Sequence, residues 1–167
     1  QRHLPDNTPL RILDLGCGTA EVLKYLPPQT TYLGIDSHRP YIQSCRKKYA
    51  TRGEFQCKDW SEFEKRDSFD CVLLLGLLHH LDDSSARLVI QKGLDSLAPG
   101  GFILSLDGCR PDSCSPFEDF FYKSDRGDFI RTVEQYTHLY PTPPAFFVHR
   151  DWLRVPYQYL VCQLRKE

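Results

Sequence analysis

Residues 11–21 have the sequence RILDLGCGTAE, in which a short apolar run of β-forming residues leads into two closely spaced glycines. Apolar residues at helical spacing follow over 22–26, so this order predicts a strand, a tight turn and a helix over 19–26. Gly16 and Gly18 can adopt backbone angles that a side chain forbids, and they let a ligand approach the main chain. Unpaired N–H groups at the start of the helix would add a positive end, which is typical of a site for a polar or anionic cofactor group.

The spacing of these glycines argues against a dinucleotide cofactor. A dinucleotide fingerprint has the form G-x-G-x-x-G, and its third glycine would fall where this chain has Glu21. The motif DLGCGTA instead resembles the first motif of class I methyltransferases that use S-adenosylmethionine. In that family the turn holds the amino-acid end of the cofactor, whose ammonium group would explain the acidic residues; a purely structural turn is the alternative. The cofactor contacts implied within this motif are Asp14, Leu15, Gly16, Cys17, Gly18 and Glu21.

A further acid follows the next apolar run. Residues 32–35 predict a buried strand that ends at Asp36, 18 residues after Gly18. Ligands bind outside the carboxyl ends of strands in open α/β sheets, and a carboxylate there can accept hydrogen bonds from both ribose hydroxyl groups. Asp36 and its neighbour Ser37 are therefore predicted to contact the cofactor. The alternative for Asp36 is a helix N-cap or a first-turn acid, because a helix is predicted to begin near Pro40.

A short third strand is predicted over 54–57, just before Asp59 and Trp60. In the class I family an acid after the third strand bonds the adenine amino group, and its neighbour packs on the ring. The resemblance implies these roles for Asp59 and Trp60. The alternatives are helix capping by the acid and ordinary core packing by the indole.

The most apolar run is FDCVLLLG at 69–76, which is continuous and therefore predicts a central parallel strand covered on both faces. The LHHL stretch that follows it resembles the fourth motif of the family, and the resemblance implies further cofactor contacts at Leu75 and Gly76. Asp82 or Asp83 is predicted to cap a helix over 84–97. The turn LAPGG then leads into a fifth strand over 102–107.

Five predicted strands thus alternate with helices between residues 11 and 107. Parallel strands need such crossover connections, and the alternation predicts a three-layer α/β/α sandwich. The resemblance extends this to a Rossmann-like, mostly parallel seven-stranded sheet with an antiparallel last strand. A single methyltransferase domain is expected over 1–167, with 1–10 as a lead-in, 11–107 as the cofactor-binding half, and 108–167 as the substrate-side half with a C-terminal hairpin.

The last third has weaker signals. Its predicted elements are an aromatic helix over 117–122, a helix over 133–140 capped by Thr132, and strands over 145–148 and 157–164. The aromatic helix forms either a lid or a face packed on the sheet, and Tyr157 is predicted to line the core or the pocket. The segments 125–132 and 151–157 resemble a group of compact bacterial class I methyltransferases, many of which begin with a further helix that this chain is expected to lack.

Methyl transfer from a sulfonium is an in-line displacement, for which the protein supplies alignment and, where the nucleophile must lose a proton, a base. The acceptor is expected above the carboxyl ends of strands four and five, where His80, His79 and Asp107 are the candidate catalytic residues. The alternatives are loop capping or packing on the cofactor for the histidines and a helix cap for Asp107. Arg126 and Arg131 either clamp an acidic group of the acceptor or are solvated or paired internally.

Composition excludes several classes of partner. The formal charge of −1 leaves no excess positive charge for nucleic acid. No 18-residue apolar run or signal peptide is visible, so no membrane partner is expected. Seven cysteines without a C-x-x-C pair indicate reduced thiols and a cytoplasmic protein. A zinc site at Cys109 and Cys114 lacks a ligand pair of the usual spacing, so no metal is expected.

The absence of several motifs narrows the range of possible acceptors. GLLH stands where amino-directed DNA methyltransferases carry their Pro-Pro motif, no Pro-Cys dipeptide is present, and Asp107 alone does not make the acidic cluster of metal-dependent catechol-type enzymes. The sequence therefore predicts S-adenosylmethionine-dependent methyl transfer to the O, N or C atom of a small molecule. One alternative is a protein that binds the cofactor without methyl transfer. Another is a nicotinamide oxidoreductase, against which Glu21 and the antiparallel hairpin argue.

Overall fold

The computed structural model describes residues 9–167, so most of the predicted lead-in lies outside it. Seven strands form one sheet in the order β3-β2-β1-β4-β5-β7-β6. Strands β1 to β5 pair in parallel, whereas β7 runs antiparallel to both β5 and β6. This arrangement confirms the predicted fold. The strands are β1 Arg11–Leu15, β2 Thr31–Asp36, β3 Glu54–Cys57, β4 Phe69–Leu75, β5 Leu97–Cys109, β6 Ala145–His149 and β7 Gln158–Arg165.

Helices and short 3₁₀ turns connect the strands. The α-helices are α1 Arg39–Lys48, α2 Asp83–Ser96, α3 Pro116–Lys123 and α4 Val133–Thr137. The 3₁₀ turns are Glu21–Lys24, Trp60–Glu62 and Leu78–His80. Of the two acids predicted to cap α2, Asp82 does so, because its side chain accepts from the backbone N–H of Ser85. Thr132 forms the capping box of α4, as predicted.

Three predicted boundaries are wrong. The helix over 19–26 is only the turn Glu21–Lys24, because Ala20 has a left-handed φ of 52° and prolines follow closely. The helix over 133–140 ends at Thr137, and Tyr140 turns into the core to bond Ser105. Strand β5 begins at Leu97 rather than 102, because Leu97 already pairs with β4.

The central strands are buried on both faces, as the continuous apolar run in β4 predicted. Val72 and Leu74 belong to one core cluster, while Cys71 and Leu73 belong to the cluster on the opposite face. Covering both faces leaves the carboxyl edge of the parallel strands as the place where β1, β2, β4 and β5 present polar groups.

Candidate active site

The glycine turn after β1 is hydrogen-bonded to β2. Gly16 and Gly18 have φ values of +73° and +51°, which a side chain rarely adopts. The N–H groups of Gly16 and Cys17 both donate to the carbonyl of Ile35, at 2.8 and 3.0 Å. A Cβ atom on Gly16 would lie 2.8 Å from Cδ1 of Leu77, so the segment after β4 packs directly on this turn.

Asp14 lies beneath the turn with one carboxylate oxygen unused. The residue is 2% exposed, and the Tyr32 hydroxyl donates to its Oδ2 at 2.6 Å. Its Oδ1 has no hydrogen-bond partner among residues 9–167. Burial raises the pKa of Asp14 to about 7, although the Tyr32 hydrogen bond opposes this. A buried acceptor without a donor is costly, so this oxygen is suited to a ligand that brings a donor.

A cavity of about 210 Å³ adjoins this carboxylate. Its lining consists of Asp14, Gly16, Cys17, Thr19, Ala20, Glu21, Val22 and Leu75. The side chain of Glu21 forms ion pairs with Lys24 and Lys48, which lower its pKa. Its charge is therefore already compensated, and Asp14 is the acid left to meet a positively charged group.

Asp36 joins the end of β2 to the glycine turn. Its Oδ2 accepts from the N–H of Gly18 at 2.9 Å, and its Oδ1 accepts from the N–H of His38 at 2.7 Å. The N-cap position of α1 belongs to His38, so Asp36 is not the helix N-cap that the sequence left open. Each carboxylate oxygen still has room for a further donor. The neighbouring Ser37 is exposed.

The third predicted contact site follows β3. Asp59 Oδ1 accepts from the N–H of Ser61 at 2.8 Å and caps the turn Trp60–Glu62. Trp60 is partly buried against the core. Both alternatives, capping and packing, are therefore present, and both residues remain half-exposed at the same edge of the sheet.

His79 is enclosed by two carboxylates. Its Nδ1 lies 2.8 Å from Asp107 Oδ1, which also accepts from the His79 backbone N–H, and its Nε2 lies 3.6 Å from Asp125 Oδ1. Burial lowers the pKa of His79, but the two carboxylates outweigh this and raise it. A Cβ atom on Gly127 would lie 2.0 Å from the His79 ring, so this segment covers the histidine.

Asp107 is buried beneath this histidine. It is 3% exposed, and burial raises its pKa while the His79 contacts oppose the rise. It accepts from the ring of His79 and from the His79 backbone N–H within the 3₁₀ turn Leu78–His80, so the capping alternative is present for this turn. Its position at the end of β5 leaves it too enclosed to reach an acceptor directly.

His80 is the exposed member of the pair. Its ring lies 4.1 Å from that of His79, measured between centroids. Partial burial and the charge of His79 lower the pKa of His80, so its imidazole is neutral near pH 7. The two adjacent histidines therefore differ in both access and charge.

The comparisons with known proteins identify the family and the fold of the chain. The sequence profile of one family, described as a methyltransferase domain, matches residues 12–101, which is more than half of the chain. The chain belongs to this methyltransferase family. The family and the fold confirm the prediction of an S-adenosylmethionine-dependent methyltransferase. No curated protein matches the chain significantly.

Several solved structures share the methyltransferase fold at low sequence identity. An S-adenosylmethionine-dependent methyltransferase from Methanosarcina mazei has 16% identity and a TM-score of 0.78, over 98% of this chain and 94% of its own. The 1,6-didemethyltoxoflavin-N1-methyltransferase of Burkholderia thailandensis has 19% identity and a TM-score of 0.71, over 95% and 71%. The (4+2)-cyclase SpnF has 15% identity and a TM-score of 0.77, over 96% and 76%. These likenesses establish the fold alone.

Of the two candidate arginines of this methyltransferase, one is buried and the other is exposed. Arg131 is 5% exposed and paired internally, so it does not clamp an acceptor. Arg126 is exposed, and its guanidinium has no hydrogen bond or ion pair within the described part of the chain. In α3, Phe117 and Phe120 are 67% and 63% exposed, so of the two alternatives left open, packing on the sheet is wrong for both.

Sequence reasoning missed Asp125 and assigned Tyr157 only a lining role. The Tyr157 hydroxyl donates to Asp125 Oδ2 at 2.7 Å and packs against Gly108 at the end of β5. Asp125 therefore links Tyr157 to His79. No local motif marks this contact, because its members come from distant parts of the sequence. Within residues 9–167, no group of three or more His, Cys, Asp or Glu residues is placed to hold a metal ion.

Proposed function

We propose that this methyltransferase transfers the methyl group of S-adenosylmethionine to a small-molecule acceptor at the carboxyl edge of β4 and β5. The observation that carries the proposal is the unpartnered Asp14 oxygen beside a cavity lined by the glycine turn. An ammonium group brings both the donor and the positive charge that this carboxylate lacks. The Burkholderia thailandensis enzyme, solved with 1,6-didemethyltoxoflavin and S-adenosylhomocysteine, supports a small acceptor.

The residues after β1, β2 and β3 would each contact a different part of the cofactor. Asp14 and the glycine turn hold the amino-acid end, with Leu15, Cys17, Leu75 and Gly76 shaping the cavity around it. Asp36 and Ser37 accept hydrogen bonds from the ribose hydroxyl groups, and Asp59 and Trp60 contact the adenine. The bound cofactor supplies a methyl group already activated on a sulfonium, so the protein mainly aligns the acceptor.

On the acceptor side, His80 is the residue that touches the acceptor. It is exposed and neutral near pH 7, so it accepts a proton when the nucleophile must lose one. His79 and Asp107 are positioning residues, because the ring of His79 is occupied by carboxylates and Asp107 is buried. This assignment refines the three catalytic candidates that the sequence provided.

The second candidate function is cofactor binding without methyl transfer. One finding is compatible with it: the (4+2)-cyclase SpnF, whose name gives a reaction other than methyl transfer, shares this fold with a TM-score similar to that of the Methanosarcina mazei methyltransferase. The two candidates differ in whether S-adenosylhomocysteine is produced from S-adenosylmethionine when acceptors are added.

We also propose a single domain over residues 1–167 that works in the cytoplasm. One sheet contains every strand of the described residues, which supports the first point. Seven free cysteines support a reducing compartment. Within residues 9–167, no helix has the length and apolar character needed to cross a membrane.

Calorimetric titration with S-adenosylmethionine and S-adenosylhomocysteine tests the proposal. We expect one-to-one binding, weakened about 10- to 100-fold by Asp36→Ala, since charge-assisted hydrogen bonds to the ribose are lost. Glu64→Ala, which removes an exposed acid between β3 and β4, is the matched control and leaves affinity unchanged. Absence of binding by the wild-type chain, or equal losses in both variants, would contradict the cofactor site.

A further inference from the structure

Arg131 uses its whole guanidinium inside the protein. Its Nε donates to Asp83 Oδ1 at 2.9 Å, and its Nη1 donates to the carbonyls of Leu78 and Phe129 at 2.9 and 3.1 Å. Its Nη2 donates to the carbonyl of Leu81 at 2.6 Å and lies 2.8 Å from Asp83 Oδ1. These four hydrogen bonds and the ion pair engage all three side-chain nitrogens of Arg131, which is 5% exposed, so the guanidinium is directed into the protein and not towards a ligand.

Two of these acceptors bracket the histidines. The carbonyls of Leu78 and Leu81 lie at the start and just beyond the end of the 3₁₀ turn Leu78–His80. So short a turn satisfies few of its own carbonyl groups. The planar fork of Arg131 reaches both ends at once, which the single ammonium group of a lysine does not reproduce.

The backbone of Arg131 is fixed to β5. Its carbonyl accepts from the N–H of Arg110 at 3.0 Å, and it forms an isolated parallel bridge with Cys109. Its guanidinium also lies 5.6 Å from the ring centroids of Phe129 and Tyr136. Arg131 therefore joins the end of β5, which carries Asp107, to the turn that carries His79 and His80.

We propose that Arg131 is a positioning residue that sets the geometry of the His79–His80 turn for methyl transfer. It acts through the carbonyls of Leu78 and Leu81 and contacts neither cofactor nor acceptor. This inference rests on the proposed role of His80. Segment 125–131, which has no regular secondary structure, would thus contribute to the active site through Arg131.

The surroundings of the two histidines provide the readout. His79 contacts Asp107 and Asp125. His80 faces the ring of His79 and the backbone of Arg126, and the charges of Asp125 and Asp107 oppose the lowering of its pKa by burial and by His79. If Arg131 no longer holds the turn, His79 moves away from its carboxylates and His80 from His79. Both side chains then titrate closer to an ordinary histidine.

The test is a pH titration of the Cε1–H nuclear magnetic resonance signals in wild-type protein and Arg131→Lys, with signals assigned through His79→Gln and His80→Gln. In the wild type we expect His79 to titrate above about 6.5 and His80 below it. In Arg131→Lys the two midpoints converge by about half a pH unit or more. A folded Arg131→Lys protein whose histidines titrate as in the wild type would overturn the inference.

Two further variants keep the test decisive. Arg11→Lys is the matched control, because Arg11 also makes several contacts with one carboxylate, that of Asp70, at the start of β1. It should leave both histidine midpoints unchanged.

If Arg131→Lys does not fold, Asp83→Ala replaces it. Asp83 is an exposed partner of Arg131, so in this variant the two midpoints should converge partially. Unchanged midpoints in Asp83→Ala would then overturn the inference. S-adenosylhomocysteine titration of the same samples separates this result from a failure of the proposed function.

Discussion

The proposed cofactor side and the proposed acceptor side of this methyltransferase use their polar groups differently. Around β1 and β2, Asp14 keeps an unpartnered oxygen, and both oxygens of Asp36 keep room for another donor. Around β4 and β5, His79 and Arg131 are fully occupied by neighbours within the protein. The proposed cofactor side thus keeps open acceptors for a ligand. On the proposed acceptor side Asp107 Oδ2 is also buried without a hydrogen-bond partner among residues 9–167, but the side chains of His79 and Arg131 are used to hold the turn that carries the exposed His80.

This difference accords with the chemistry. A cofactor with several polar groups needs open acceptors to bind, and in the proposed site Asp14 and Asp36 would supply them. Methyl transfer needs alignment more than it needs many chemical groups, so a rigid framework around one exposed histidine is sufficient. Variants in the cofactor side should therefore change binding most, and variants in the acceptor framework should change stability and histidine titration.

Gly16→Ala should have the largest effect. A side chain at φ +73° is strained, and its Cβ would lie 2.8 Å from Leu77. We expect S-adenosylhomocysteine affinity to fall by more than about tenfold and the free energy of unfolding by about 2–4 kcal/mol. Calorimetry and urea unfolding measure the two. Gly100→Ala is the control, because Gly100 has φ +77° in open space; it should lose only about 1–2 kcal/mol and keep its affinity. Equal effects in both variants would contradict the packing of Leu77 on the turn.

His79→Gln and His80→Gln should differ in stability although they are adjacent. Replacing His79 disrupts its contacts with buried Asp107, so we expect a loss of about 1–3 kcal/mol in the free energy of unfolding. Replacing exposed His80 should change stability by less than about 0.5 kcal/mol while lowering methyl transfer. Chemical denaturation of both variants measures the difference. Similar losses in the two would refute the division between a positioning and an exposed histidine.

Asp14→Asn should weaken cofactor binding and raise the free energy of unfolding at alkaline pH. The pKa of Asp14 is about 7 in the folded protein and about 3.8 without its environment, so the folded state holds the extra proton between these values. Stability of the wild type should therefore fall as pH rises from about 4 to 7. The ligand-free variant should be more stable than the wild type at pH 8, with the gap closing towards pH 4, while binding S-adenosylhomocysteine about tenfold more weakly at pH 8. Urea unfolding across this range and calorimetry measure both effects; a gap that widens on acidification would be inconsistent with a buried carboxylate.

Tyr157→Phe should have a small effect that is confined to stability. It removes the hydroxyl that donates to Asp125 and keeps the ring, so we expect a loss of about 1 kcal/mol in the free energy of unfolding and unchanged cofactor affinity. Thermal and urea unfolding measure it. Tyr25→Phe, at a residue that is 85% exposed, is the control and should be neutral. A loss in the control as large as that in Tyr157→Phe would argue against the Asp125 link.

Sequence reasoning succeeded where the determinants are local. The apolar runs predicted all seven strands, and the motif family predicted their parallel and antiparallel pairing. Gly16 and Gly18 were found because their spacing alone indicates a turn. The helix over 19–26 failed because the left-handed conformation of Ala20 has no marker in its residue type.

The acceptor framework was harder to predict because its contacts join distant residues. His79 lies 28 residues from Asp107, Tyr157 lies 32 residues from Asp125, and Arg131 lies 53 residues from Leu78. Sequence alone named Arg131 but left open whether it faced an acceptor or the interior. Only the pairing of β5 with segment 125–131 decides this, by bringing its guanidinium onto the histidine turn.

Nuclear magnetic resonance titration of the ¹⁵N-labelled protein with S-adenosylhomocysteine tests the central claim most directly. We predict that the largest amide shifts occur at Gly16, Gly18 and Asp36, with a second group near Asp59. Saturable shifts confined to other surfaces, such as the cavity between Phe63 and Ser96, would contradict the assignment of the cofactor to the carboxyl edge of β1 and β2.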